Sequence, residues 1–292
     1  MSADPAMSAA ADGWTPSARE LERRAVIRGQ RRRALLISST AVVVVFGALA
    51  FGVTASPGWD RVRELFFDGG DVRATVGPIL SHFWLNVRLF VVCEIAILLV
   101  GLLVAITRVS TAPVLAPLRI VAVLYTDLFR GIPTVLLVLL LGFGIPGLQL
   151  QGVTNSAIVW AGVALVLSYG AYVAEVFRSG IDSIHPSQLA SADALGLSRS
   201  QALRFVVIPQ AVRRVVPPLL NDFISLQKDT ALVSVLGIFD AVFYAQDYGN
   251  YNFTFTPYVV VAAIFILLTV PTARFVDWLQ ERARRREWAG AR

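Results

Sequence analysis

Ionisable residues sit where the surrounding sequence is otherwise apolar, and they set the chemistry this chain could perform. Arg88 and Glu94 lie in one hydrophobic stretch, Asp127 and Arg130 in a second, and Glu175 and Arg178 in a third. Asp222, Ser225, Lys228, Asp229 and Thr230 follow in a fourth. Asp127 and Arg130 are three residues apart, as are Glu175 and Arg178, and this spacing permits a local ion pair on a helix. Arg88 and Glu94 are six apart, on different helical faces, and are not expected to pair. Asp222 and Asp229 are seven apart and so share nearly one face with Ser225 between them; Lys228 lies beside that stripe. Such a stripe suits the wall of a polar cavity, and suits equally a packed network of hydrogen bonds between helices. Toward a zwitterion, Asp229, Glu175 and Glu94 offer acceptors for an ammonium. Lys228, Thr230 and Arg88 offer donors for a carboxylate.

Other chemistries lack their residues. Lys228 is the only lysine, with Gln227 before it and Asp229 after it. A phosphate-binding P-loop needs Gly-Lys followed by Ser or Thr, so this chain has no nucleotide site of that kind. Cys93 is the only cysteine, which excludes an intrachain disulfide and a cysteine metal site. His82 and His185 are far apart, and no metal-ligand spacing links them. No Ser-His-Asp or paired-carboxylate arrangement stands out in the loops, so no catalytic residue, metal or cofactor is expected in this chain.

The elements that carry these charges read as membrane spans. Of 292 residues, 56% are hydrophobic and 16% charged, whereas roughly a quarter are charged in soluble domains. The apolar residues fall in blocks of about 17–22, the length a helix needs to cross the ~30 Å hydrocarbon core. Six blocks are expected: 34–53, 85–106, 117–145 (interrupted by Arg130-Gly131-Ile132-Pro133), 157–177, 215–236 and 258–275. A cleaved signal peptide is the alternative for the first block, but its basic lead and apolar run are both too long. The basic stretch 19–33 reads as a helix leading into the membrane, and the segment before it as disordered.

The net charge of +6 follows topology rather than nucleic acid. Seven arginines precede the first block, and Arg178, Arg199, Arg204, Arg213 and Arg214 follow the fourth. Arg282, Arg284, Arg285, Arg286 and Arg292 close the chain. The 146–156 and 237–257 loops have no Lys or Arg. The 54–84 loop mixes Arg61, Arg63 and Arg73 with four acids. Both termini are therefore expected in the cytoplasm. Trp59, Trp84, Tyr248, Tyr251 and Tyr258 fit an interfacial belt at the opposite side.

The loop after the fourth block carries the most information. Pro186 opens a short helix, and Ala190, Ser191, Ala192 and Ala194 give it small residues that another protein can approach. Gly196 ends it, Ser198 caps a second short helix, and Pro209 marks a turn toward the fifth span. This stretch resembles the cytoplasmic signature of binding-protein-dependent ABC importer permeases: Glu-Ala-Ala, three residues, Gly, about nine residues, then Ile-x-Leu-Pro. Here it reads Ala190-Ser191-Ala192, three residues, Gly196, nine residues, Val206-Val207-Ile208-Pro209. Ala190 stands where the family has Glu.

Three further stretches extend the resemblance over most of residues 82–280. Asp127-Leu128-Phe129-Arg130-Gly131-Ile132-Pro133 is similar to the Phe-Arg-Gly-Thr-Pro element. Tyr172 to Ile181 is similar to Tyr-x-x-Glu-x-x-Arg-x-Gly-Ile. Asn221 with Lys228-Asp229-Thr230-Ala231-Leu232 is similar to Asn-(six)-Lys-Asp-Thr-Ser-Leu. These variants resemble the polar-amino-acid branch, the permeases for histidine, arginine, glutamine and glutamate.

The resemblance implies an all-α membrane protein of type I ABC importer permease (MetI-like) fold, with six transmembrane helices and a cytoplasmic coupling helix. Residues 1–33 and 281–292 would be cytoplasmic basic tails, 34–81 an added first span with its external loop, and 82–280 the permease domain. The implied setting is a bacterial cytoplasmic membrane, multi-pass. The implied partners are two ABC ATPase subunits carrying ATP and Mg, a second permease (identical or related) and an extracytoplasmic solute-binding protein. The implied function is import of a polar amino acid by alternating access. A permease for another small polar solute, an ion-coupled secondary transporter and a membrane scaffold remain rivals. The orientation is testable by cysteine labelling in a Cys93→Ser background. An impermeant reagent added outside should modify a cysteine at Gly69 and spare one at Ser187; labelling of the Ser187 probe alone would reverse the topology.

Overall fold

The computed structural model describes residues 17–110 and 112–290, with the side chains of residues 31, 199 and 283–290 left aside. The expected disorder ahead of residue 17 and Arg292 in the C-terminal tail lie outside the described residues. Those described are helical almost throughout, and no strand is found among them.

Helix α1 (Ala18–Thr54) runs 37 residues without a break. Ser17 caps it, its side chain accepting from the Glu20 amide at 3.3 Å. The basic stretch and the first apolar block thus form one helix, and none of its described side chains is buried. Among the described residues, those up to 63 form one unit and those from 64 onward another.

In the second unit, α3 (Gly69–Val109) begins sixteen residues before the expected second span and carries Pro78. The 54–84 connection is therefore largely helical, since α2 (Trp59–Phe66) precedes α3. Asp68 caps α3 by accepting from the Asp71 amide at 2.8 Å. The third apolar block is two helices, α4 (Ala116–Gly131) and α5 (Thr134–Gly147), which meet at 103°. The cause is local. Pro133 disfavours helical geometry in the residue before it, and Ile132 is extended at φ −93° and ψ 129°.

Helix α6 (Ala157–Asp182) stands at the centre, packed against α3, α4, α5 and, beyond the connecting loop, α9 (Ile208–Asp229). Apolar burial drives little association in lipid, where close van der Waals contact between small residues takes over. Ala161, Gly162, Ala164, Ala171, Ala174 and Gly180 are all buried on α6. Around them pack Cys93, Ile97, Leu137, Val138, Leu226 and Val233.

After α9 the chain tightens into a 3-10 stretch, Thr230–Leu236, and then forms α10 (Ala241–Asn252) and α11 (Thr256–Gly290). The 237–257 segment, expected as a loop, thus holds a helix. Its signal is Asp240, which caps α10 by accepting from the Phe243 amide at 2.8 Å. Asp240 is fully buried and also accepts from Asn86 Nδ2 at 2.8 Å, while the Ala241 amide donates to Asn86 Oδ1 at 3.3 Å. One polar residue in α3 therefore fixes where α10 starts.

Among the described residues, four stretches are long and apolar enough to cross a membrane: Ala18–Thr54, Trp59–Val109, Ala157–Asp182 and Thr256–Arg282. Counting each of two bent pairs as one span raises this to six. The pairs are Pro113–Gly131 with Thr134–Gly147, and Ser200–Leu236 with Ala241–Asn252.

Gly101 shows how tight the central contact is. A Cβ there would collide with the Val173 side chain and come within 3.2 Å of the Ala174 backbone nitrogen. Gly101→Ala should therefore push α3 from α6 and lower the melting temperature of the detergent-purified protein by about 2–10 °C. Gly144→Ala, with open space around it, should leave it unchanged or slightly raised. Equal melting of both variants would show that the helices do not meet as described.

Candidate functional site

Two regions gather the residues singled out above. The first is the connection between α6 and α9. Pro186 stands at the first turn of α7 (Pro186–Ala194), and the His185 ring nitrogen accepts from the Ser187 amide at 3.2 Å. At the other end Gly196 has φ +75°, a left-handed conformation that costs residues with a Cβ roughly 1 kcal/mol or more. The Gly196 amide donates to Asp193 O at 2.9 Å and the Leu197 amide to Ala192 O at 3.1 Å, so the helix ends on a double backbone cap. Ser198 and Gln201 then cap each other reciprocally. The Gln201 amide donates to Ser198 Oγ at 3.3 Å and the Ser198 amide to Gln201 Oε1 at 2.8 Å, starting α8 (Arg199–Ala202).

Two expectations change here. Ala192 is not on the approachable face; it is 2% exposed and packs inward, as do Ala202 and Val207. Ala190, Ser191 and Ala194 remain exposed. Pro209 makes no turn. A π-helical turn, Leu203–Val207, joins α8 to α9, and Pro209 falls at the start of α9, where a missing amide costs nothing. Leu195 was not singled out from the sequence, yet it is 81% exposed directly before Gly196.

The second region is the set of charges in the helices. Glu175 is its hub. Arg108 Nη1 donates to Glu175 Oε2 at 2.7 Å and to Thr126 Oγ1 at 2.9 Å. Arg178 bonds the same carboxylate through Nε at 3.2 Å and also pairs with Asp182. Arg130 approaches Glu175 at 3.9 Å, so it turns to α6 rather than to Asp127 on its own helix. The i,i+3 spacing permitted that local pair, but α4 packs against α6 and its Arg130 reaches across to Glu175. Arg108, from α3, is the partner that sequence spacing could not supply, since it lies 67 residues from Glu175.

Beside this hub is a cavity of about 160 Å³ lined by Arg130, Tyr172, Glu175, Val176, Ser179 and Asp222. The Arg130 guanidinium lies 5.7 Å from the Tyr172 ring centre, and the Tyr172 hydroxyl donates to Arg130 O at 3.3 Å. Asp222 Oδ2 is buried and has no hydrogen-bond partner. Glu94 makes no ion pair among the described residues and lies within electrostatic reach of Asp222. The other residues disperse. Asp229 accepts from the Tyr169 hydroxyl at 2.8 Å. Thr230 is fully buried, with its hydroxyl on Gln227 O at 2.9 Å. Ser225 is half-buried on α9 and Lys228 is exposed. Arg88 borders a separate cavity of about 610 Å³ walled by Leu85, Leu89, Val92 and other apolar side chains of α3 and α6, which offers little to a polar solute. Among the described residues no group of His, Cys, Asp and Glu could hold a metal ion.

Comparison with known proteins places this arrangement. The arginine transport system permease protein ArtQ of Bacillus subtilis is 31% identical over 215 residues, covering 73% of this chain and 96% of that protein. The glutamate transport system permease protein GluC of Corynebacterium glutamicum is 32% identical over 221 residues, covering 72% and 96%. A solved amino acid ABC transporter with histidines superposes with a TM-score of 0.68 at 29% identity, covering 75% of this chain and 100% of that chain. The methionine ABC transporter MetNI, in an inward-facing form, shares the fold at a TM-score of 0.57 and 18% identity. The helical architecture is thus that of the type I (MetI-like) importer permeases. Residues 97–285 match the family described as the binding-protein-dependent transport system inner membrane component, and the chain belongs to that family.

Proposed function

We propose that this chain is the membrane-spanning permease of an ATP-driven importer that moves a polar amino acid into the cell. A solute-binding protein delivers the amino acid on the outside. A separate pair of ATPase subunits, carrying ATP and Mg, drives the cycle, because this chain has no P-loop of its own. A second permease, identical or related, completes the membrane unit. Both termini and α7 face the cytoplasm, in keeping with the arginine distribution.

The observation that carries this reading is the construction of α7. A nine-residue helix is held at its N-terminus by Pro186 and His185 and at its C-terminus by a left-handed glycine. It is anchored from beneath by Ala192 and presents Ala190, Ser191, Ala194 and Leu195 outward. A rigid, small-faced helix of this kind can seat in a cleft of the ATPase and carry its movement into α6 and α9, the helices that flank it in the chain. The names of the relatives, transporters of arginine, glutamine and glutamate, support an amino acid as solute. Ala190 in place of the family's Glu leaves this contact to shape and backbone rather than to an ion pair.

Co-purification of the ATPase together with uptake tests the contact. Gly196→Arg and Ala194→Arg should abolish ATP-driven uptake and ATPase association, while the permease still inserts. Ala190→Glu should be tolerated. Full ATPase binding and transport in Gly196→Arg would remove α7 as the motor contact. Uptake that needs no binding protein and persists without the ATPase would instead establish an ion-coupled carrier. Asp229 and Lys228 are predicted to act on transport rather than assembly: Asp229→Ala and Lys228→Ala should each reduce uptake with the complex intact. Loss of the complex in either would make that residue a structural tie.

A further inference from the structure

The apolar cavity of about 610 Å³ between α3 and α6 has one charged residue in its wall, Arg88. The walls are stripes at helical spacing, Leu85, Leu89, Val92 and Ala96 on α3 facing Val159 and Val163 on α6. Val92 is 67% exposed and Val159 46%, so the groove opens to the outside of the chain. From Leu85 to Ala96 it runs about 16 Å along α3. That is close to half of the ~30 Å hydrocarbon core, the depth of one leaflet. Arg88 lies in the first turn of this stripe. It stands about 30 Å along α3 from Arg108, so the two arginines lie near opposite boundaries of the hydrocarbon. Trp84, exposed one turn before Arg88, and Trp160, whose ring nitrogen donates to Thr154 O at 2.7 Å, flank the same end of the groove. Indole rings settle at the headgroup level. Arg108 is satisfied at Glu175. Arg88 is exposed and makes no hydrogen bond or ion pair among the described residues.

We infer that this groove is a binding site for one phospholipid with a net negative headgroup, an acyl chain lying between α3 and α6 and the phosphate on Arg88. The apolar walls give the chain close contact along its length. The forked guanidinium gives two parallel donors to the phosphate oxygens. A phosphocholine headgroup neutralises its phosphate with its own ammonium, whereas a phosphoglycerol headgroup leaves that charge to Arg88. The arginine also gains, because a cation facing lipid is costly until it reaches an anion. A polar solute fits poorly, since no hydroxyl or carboxylate lines the walls. A second copy of the chain fits poorly too. Related by an axis along the membrane normal, it would bring its own Arg88 to the same depth, where two guanidiniums repel.

Fluorescence quenching by brominated lipid tests the site. The full-length chain carries a bimane label on Val92→Cys in a Cys93→Ser background. It is reconstituted in mixed vesicles of phosphatidylcholine and phosphatidylglycerol, with one lipid or the other brominated in its acyl chains. The two quenching curves give the relative affinity at the groove. Phosphatidylglycerol should be preferred about fivefold. Arg88→Gln should bring the ratio to one, while Arg73→Gln, farther along the same helix, should leave it unchanged. Ala96→Leu fills the groove and keeps the arginine; it should also bring the ratio toward one, with quenching by surrounding lipid continuing. If Arg88→Gln fails to insert, Ala96→Leu decides. A ratio of one in the labelled parent, or a fivefold ratio persisting in Arg88→Gln, would overturn the inference. A fivefold ratio persisting in Ala96→Leu would put the lipid outside the groove and overturn it as well. Cross-linking of two chains through Val159→Cys, in the same Cys93→Ser background, would show a second copy in the groove, with the same consequence.

Discussion

One carboxylate ties three helices of this bundle together. Each ionisable group inside a span costs about 2.5–3.5 kcal/mol on insertion scales, and three arginines from α3, α4 and α6 carry that cost into the same region. Glu175 is where they meet. Without it, Arg108 would keep only Thr126 and Arg178 only Asp182, and the guanidiniums would repel one another in a medium that screens poorly. With it, three helices distant in sequence acquire a common point. The same hub fixes one wall of the polar cavity beside it.

Packing elsewhere follows the opposite logic, in which little is charged and much is small. The buried alanines and glycines of α6 let neighbours approach to backbone distance. Several polar side chains are paired across helices: Thr134 with Ser168 at 2.9 Å, Tyr125 with Leu167 O at 2.8 Å, and Asn86 with Asp240. Water is absent from the hydrocarbon region, so each such pair replaces what solvent would otherwise provide.

The features readable from sequence were those set by local chemistry. Apolar run length identified the spans, Pro186 and Gly196 bounded α7, and Ser198 announced its cap. Each depends on residues within a few positions of one another. The misreadings have a common origin. Ala192 reads from the sequence with its small neighbours, but only the path of the whole loop decides which side of a nine-residue helix faces in. Pro209 suggests a turn by itself, yet the first turn of a helix accepts proline freely, and the π-helical turn before it had no local marker. The 237–257 segment looked like a loop because its aromatic and polar residues lack helical periodicity, while its cap partner, Asn86, lies 154 residues away from Asp240. The Glu175 hub was half legible: Arg178 is one turn away, but Arg108 and Arg130 come from other helices.

Helix α1 evolves under a different rule from the rest. None of its described side chains is buried, so no packed core within its own unit constrains a substitution there. The bilayer judges only its length and hydropathy, and Val42 to Val45 could drift among apolar residues without compensation. A change in α6, such as one that enlarges Ala174 or Gly180, demands an answering change in α3 or α9. Divergence should therefore accumulate in the first helix as unlinked single replacements, and in the central helices only as matched pairs.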